Sequence, residues 1–197
     1  MNQAKAFDTR KLVLLALLTA IVVVLQSLAA VLPIYPFTLT LTLVPMVIGA
    51  ALVNVSAGGW LGLVFGLVVL LTGNANAFLA VSAPATILVV LLKGTLAGLA
   101  SGAVYKLLAK KNRTVAVIIS AVICPIVNTG VFVAGCYAFF LPTLKEWGGS
   151  EYSNVTAFIF LGIIGFNFIS EMIINLVLSP VIVRLVQYRQ GKKASAS

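Results

Sequence analysis

Residues 166–178 read FNFISEMIINLVL, an apolar stretch holding one carboxylate, Glu171. Asn167 lies one turn before it and Asn175 one turn after, so on a helix the three share a face. Glu171 is the only acidic residue in any apolar run of the chain, and Lys93 is the only basic residue deep in one. An ionisable side chain at bilayer depth costs about 2.5–3.5 kcal/mol on insertion scales, so it faces protein or water and has a partner. The pattern predicts that Lys93 and Glu171 face each other inside a membrane-embedded bundle.

The composition agrees with that solvent. The 197 residues are 61% hydrophobic and 9% charged, with a mean hydropathy of +1.16, more apolar surface than a soluble domain can hide. The first apolar run follows Arg10 and Lys11 at about full span length and lacks a convincing cleavage site, which predicts a retained helix rather than a signal peptide. Cys124 and Cys136 fall on one predicted helix, about 18 Å apart along its axis, too far to bridge. The net charge of +9 is a topology signal rather than a nucleic-acid signal. Lys5, Arg10 and Lys11 precede the first span, Lys106, Lys110, Lys111 and Arg113 separate the fourth from the fifth, and Arg184, Arg189, Lys192 and Lys193 close the chain. An even number of spans puts all three clusters on one side, which the positive-inside rule makes cytoplasmic.

These runs predict an all-α integral membrane protein of six transmembrane helices in one compact bundle, with both termini cytoplasmic. Residues 1–10 form a cytoplasmic segment, 11–188 the six-helix transmembrane domain, and 189–197 a disordered basic tail. Span one runs from about Lys11 to Leu32 and stops at the Pro33–Pro36 loop. In PFTLTLTLVP (36–45) Thr38, Thr40 and Thr42 alternate with leucines, a period of two. Span two is thus either a loop dipping into the protein or a short tilted helix. Spans three and four carry Gly58, Gly62, Gly66 and Gly94, Gly98, Gly102, a glycine at every fourth position that lets another helix approach closely. Residues 72–76 form an outer turn. Pro125 interrupts span five, and LPTLKEWGGSEYSN (141–154) is a long polar outer loop with Trp147 and Tyr152 at the interface.

Counting inward from the basic clusters puts the polar residues at one depth. Glu171 stands thirteen residues before Arg184 and Lys93 thirteen before Lys106, each about 20 Å from the cytoplasmic edge. Asn128, Thr72 and Gln26 stand fifteen residues from Arg113, from Ala57 at the start of span three, and from Lys11, about 22 Å in each case. A common level in the outer third of the membrane is what a pocket open to the outside requires, with Lys93, Asn128, Asn167, Glu171 and Asn175 converging in an apolar wall. A satisfied internal network that only fixes helix packing is the alternative. The chain has no GxxxxGK[ST] phosphate loop, no histidine and no second acid near Glu171, so no cofactor, zinc ligand set or nucleophile–base pair is expected. A pocket without an engine implies a non-enzymatic binding subunit that takes energy from partners.

The chain resembles the substrate-binding S components of energy-coupling factor transporters, the bacterial vitamin importers. The likeness covers roughly residues 10–186 and rests on small size, six spans, the Pro/Thr-rich LPIYPFTLTLTLVP loop and ALLTA at 16–20. VPMVIGA (44–50) and CPIVNTG (124–130) look like the riboflavin-type branch. The resemblance implies that Ala16 and Ala20 pack on a shared transmembrane coupling subunit driven by two ATPases, in a bacterial plasma membrane. It also implies a ligand near the outer face, under the first loop, among helices four to six, and Thr40 and Asn76 complete the candidate contacts. If Lys93 and Glu171 neutralise each other, an uncharged flat ring such as riboflavin is expected, stacking on Tyr35, Phe78 or Tyr137. If Lys93 meets the ligand, a carboxylate such as pantothenate is favoured. A self-sufficient carrier in which Glu171 takes a coupled proton is the competing reading.

Overall fold

Apolar runs punctuated by asparagine, glycine and proline fold as helices wherever backbone amides cannot reach water. The computed structural model describes residues 9–31, 41–149 and 151–194; among these every regular element is helical. Helix α1 spans Thr9–Val31, α2 Leu43–Leu52, α3 Val55–Leu71, α4 Asn76–Val81, α5 Ala83–Leu108 and α6 Arg113–Gly135. A π-helical stretch, Cys136–Phe140, carries α6 into α7, Leu141–Gly148. After α8, Val155–Ala157, a second π-helical stretch at Phe158–Ile164 leads into α9, Gly165–Ala194. Three starts are set by asparagine caps: Asn54, Asn112 and Asn154 accept from the amides of Ala57, Val115 and Ala157 at 2.7, 3.1 and 2.9 Å. Gly73 turns the chain between α3 and α4 with φ +83°, a conformation that L side chains rarely adopt.

Among the described residues four helical segments are long and apolar enough to cross a membrane: Thr9–Val31, Ala83–Leu108, Arg113–Gly148 and Asn167–Tyr188. Leu43–Leu52, Val55–Leu71 and Val155–Ile164 are shorter apolar helices. Leu12, Val13, Leu17, Val24 and Leu28 are exposed along α1, the outer surface expected where the solvent is hydrocarbon.

The glycine rows meet each other. A Cβ on Gly62 would overlap the carbonyl of Gly94, one on Gly98 would overlap the carbonyl of Gly58, and Gly66 lies against the backbone of Val90 and Leu91. Helices α3 and α5 therefore touch backbone to backbone and form the most extensive interface of the molecule, followed by α5 against α6. One core cluster joins α1, α2, α3, α5, α6 and α9 around Val22, Leu43, Met46, Leu61, Val117 and Ile182. A second joins both π-helical stretches and α7 through Cys136, Phe140, Leu144, Ile159 and Ile164.

Several sequence expectations change. Pro125 lies inside a continuous α6 rather than interrupting it. The first half of the expected outer loop is α7, because Pro142 suits a helix's first turn and Leu144 has a buried seat in the second core cluster. The backbone is helical to Ala194. Leu41 and Thr42 form a turn before α2; residues 37–40, the rest of the segment left open between loop and helix, lie outside the described residues. Cys124 and Cys136 are both buried and both free thiols.

Candidate functional site

The two intramembrane charges arrive at one place. Lys93, at mid-length of α5, and Glu171, on α9, both line a cavity of about 250 Å3, together with Asn128 of α6 and Asn167 of α9. Further polar lining comes from Asn74, Thr86, Thr129 and, on α1, Gln26. Its Oε1 accepts a hydrogen bond from the Thr42 hydroxyl at 3.0 Å, with both residues buried. That bond fixes the amide so that its NH2 group is left for other acceptors.

The walls are aromatic. The Lys93 ammonium lies 5.0 Å from the centre of the Phe132 ring and 5.8 Å from that of Phe65, within the range where ring faces attract a cation. Phe78, on the short helix α4, packs edge-to-face on Phe132, Phe140 and Trp147, with centroids 5.6, 5.0 and 5.4 Å away. These contacts tie α4 to α6, α7 and the π-helical stretch between them, and close one side of the cavity.

Around the carboxylate, the Asn128 amide NH2 approaches Glu171 Oε2 at 3.5 Å, and Asn175 Nδ2 donates to the Glu171 backbone carbonyl at 2.8 Å. Glu171 is 6% exposed, so desolvation makes these polar neighbours and the positive Lys93 in the same cavity matter. The side-chain oxygen of Asn128 has no hydrogen-bond partner among the described residues although Asn128 is buried, which leaves an acceptor at the cavity wall.

Four expected site residues, Lys93, Asn128, Asn167 and Glu171, are thus brought together. Asn175 is on the same face but supports Glu171 from below rather than lining the cavity. Asn76 is exposed at the start of α4; its neighbours Asn74 and Ala75 line the cavity instead. Thr72 drops out of the polar layer because its hydroxyl bonds to Val68 O of its own helix at 2.8 Å. Thr40 and Tyr35 lie outside the described residues. Tyr137 is exposed and bonded to Thr156 at 2.9 Å, away from the cavity. Ala16 and Ala20 are both exposed on α1.

Sequence reasoning missed the lining phenylalanines Phe65, Phe132, Phe140 and Phe168. No group of three or more histidine, cysteine, aspartate or glutamate side chains that could hold a metal occurs among the described residues.

The described residues thus form an apolar helical assembly around an aromatic-walled cavity into which a few polar groups converge. Residues 10–183 match the family model described as ECF transporter, substrate-specific component, and the chain belongs to that family. No match was found among curated proteins or solved structures. Membership makes the protein a substrate-binding subunit of an ECF-type transporter rather than an enzyme, and implies association with that transporter's transmembrane and ATPase subunits.

Proposed function

We propose that the cavity between α3, α5, α6 and α9 is the substrate site and that it captures a water-soluble vitamin at the outer face of a bacterial plasma membrane. The observation that carries this is the convergence of the two intramembrane charges, Lys93 and Glu171, in one aromatic-walled cavity. Riboflavin is the favoured ligand, because phenylalanine walls suit a flat ring and a neutralised charge pair suits an uncharged one. The volume of about 250 Å3 sits below the usual ~300–1,000 Å3 of ligand pockets and favours the smaller carboxylate, pantothenate, as the second reading.

In this reading the four long segments plus α2 and α3 make six crossings. The exposed Arg10, Lys106, Lys110, Lys111, Arg113 and Arg184 then lie on the cytoplasmic side, with both termini there. The coupling subunit packs on Ala16 and Ala20, whose exposure supports a contact surface, and two ATPases drive delivery inward. Ala16→Trp is expected to leave ligand affinity within about two-fold of wild type while abolishing uptake, since its bulk blocks close helix approach without reaching the cavity. Calorimetry on the purified subunit and uptake by the assembled transporter check the two halves.

Mass spectrometry of the solute that co-purifies with the protein tests the reading directly, and a yellow preparation identifies a flavin at sight. Uptake into proteoliposomes should require added ATPase partners. Uptake by the lone protein under a proton gradient would instead establish the carrier reading.

A further inference from the structure

Below the cavity, toward the end of the bundle where α5 and α6 are joined, the interior holds polar atoms that the protein does not pair. Ser101 Oγ, Ser120 Oγ, Tyr105 OH and Asn175 Oδ1 are all buried without a hydrogen-bond partner among the described residues. Ser101, Ser120 and Asn175 are 0% exposed and Tyr105 is 7% exposed. Other buried hydroxyls on these helices behave differently: Thr86 and Ser179 bond to carbonyls of their own turns at 2.8 Å.

The hydroxyls of Ser101, Tyr105 and Ser120 lie on stripes of α5 and α6, which pack on each other, and Asn175 lies on α9, which packs on α6. Ala97, Ser101 and Tyr105 form one stripe of α5, spaced by four residues. Ala116, Ser120 and Cys124 do the same on α6, while Ile182 and Val186 lie two and three turns beyond Asn175 on α9. Ala97, Tyr105, Ala116, Val117, Cys124, Ile182 and Val186 all belong to one core cluster, so the polar residues they bracket face a common interior. The antiparallel register agrees. The α5–α6 turn is closed by Lys111 and Asn112 donating to Leu108 O, and Gly135 lies against Val89, which sets Ser101 opposite the stretch beginning at Ser120. A tyrosine on a helix leans toward the helix N-terminus, so the Tyr105 hydroxyl reaches back toward Ser101.

An unpartnered buried polar atom is costly, and four together in one interior is the environment that holds water, which needs two to four polar partners. We propose that α5, α6 and α9 enclose an internal water site, bound by Ser101, Ser120, Tyr105 and Asn175. Asn175, whose amide group holds the Glu171 carbonyl, joins this site to the cavity floor. The bundle therefore carries one polar column from the cavity toward the α5–α6 turn, whichever solute the cavity takes.

The sign of a thermal shift decides the matter. A dry, unpartnered hydroxyl destabilises the fold, so its removal raises Tm; a hydroxyl holding water stabilises it, so its removal lowers Tm. Ser101→Ala and Ser120→Ala in the full-length protein in nanodiscs are each expected to lower Tm by about 2–4 °C, the shift of one lost bond in a chain of this size. The double variant should fall by less than the sum, because both lose the same water. Unchanged or raised Tm in the single variants overturns the proposal. If either variant fails to fold, hydroxyl-radical labelling of the wild type decides. Labelling of Tyr105 above that of the fully buried Leu61, each corrected for intrinsic side-chain reactivity, supports the site, and equal labelling overturns it.

Discussion

Gly62→Leu is expected to yield no folded protein, and Gly62→Ala a protein whose Tm falls by roughly 10 °C. The reason is local and steric. A Cβ at this position meets the carbonyl group of Gly94 and the amide nitrogen of Thr95, which are backbone and cannot rotate away. The only relief is separation of α3 from α5 along their full contact, where Gly58 and Gly98 are packed the same way. Overpacking of this sort costs about 3 kcal/mol or more, the upper end of the usual range, since no side chain can adjust. At about 2–4 °C per kcal/mol for a chain of this size, the alanine variant shifts by the amount stated. Gly130→Ala is the control. That glycine is exposed on α6 with nothing near its added methyl group, so better helix propensity should leave Tm unchanged or slightly raised. Size-exclusion profiles and thermal unfolding in detergent check both. A Gly62→Ala protein as stable as wild type would mean that the two helices do not touch through their backbones.

The glycine rows were legible because a fixed spacing of four encodes a face, and a face made only of hydrogen atoms has one use in a membrane. The charges were legible for a similar reason: Lys93 and Glu171 have no tolerable position except inward. Depth counting was a weaker guide. It grouped Thr72 with Asn128, yet depth is not direction, and the Thr72 hydroxyl is satisfied by its own helix. Of the aromatic cavity wall only Phe78 was legible. Phe65, Phe132, Phe140 and Phe168 sit as comfortably against lipid as against a solute, so their type carries no signal of which way they point. The two π-helical stretches are equally silent in sequence, since one extra residue per turn leaves no compositional mark. Both border the cavity through Phe140, Ile163 and Ile164, so part of the site's shape comes from backbone departures that periodicity assumes away.

Lys93→Met and Glu171→Gln are each expected to weaken ligand binding by about 100-fold or more. Each removes one charge and leaves the other, a buried Glu171 or a half-buried Lys93, without its counter-charge in the same cavity, a change that costs about 3–5 kcal/mol where a buried pair loses one partner. Part of that cost falls on the fold, so binding alone does not separate support of the bundle from recognition of the solute. The double variant separates them. With both charges gone the interior is neutral, and Tm should return to within a few degrees of wild type, because an apolar replacement of a buried pair is close to neutral for stability. Binding should stay lost, because neither the cation held between Phe65 and Phe132 nor the carboxylate beside Asn128 is then available to the ligand. The pattern also distinguishes the two candidate ligands. A carboxylate solute loses most of its affinity through Lys93→Met, whereas a neutral ring loses comparable amounts through either change. Titration of the co-purifying solute by calorimetry, alongside thermal unfolding of all three variants, measures every term. Wild-type affinity in either single variant would remove that side chain from the site.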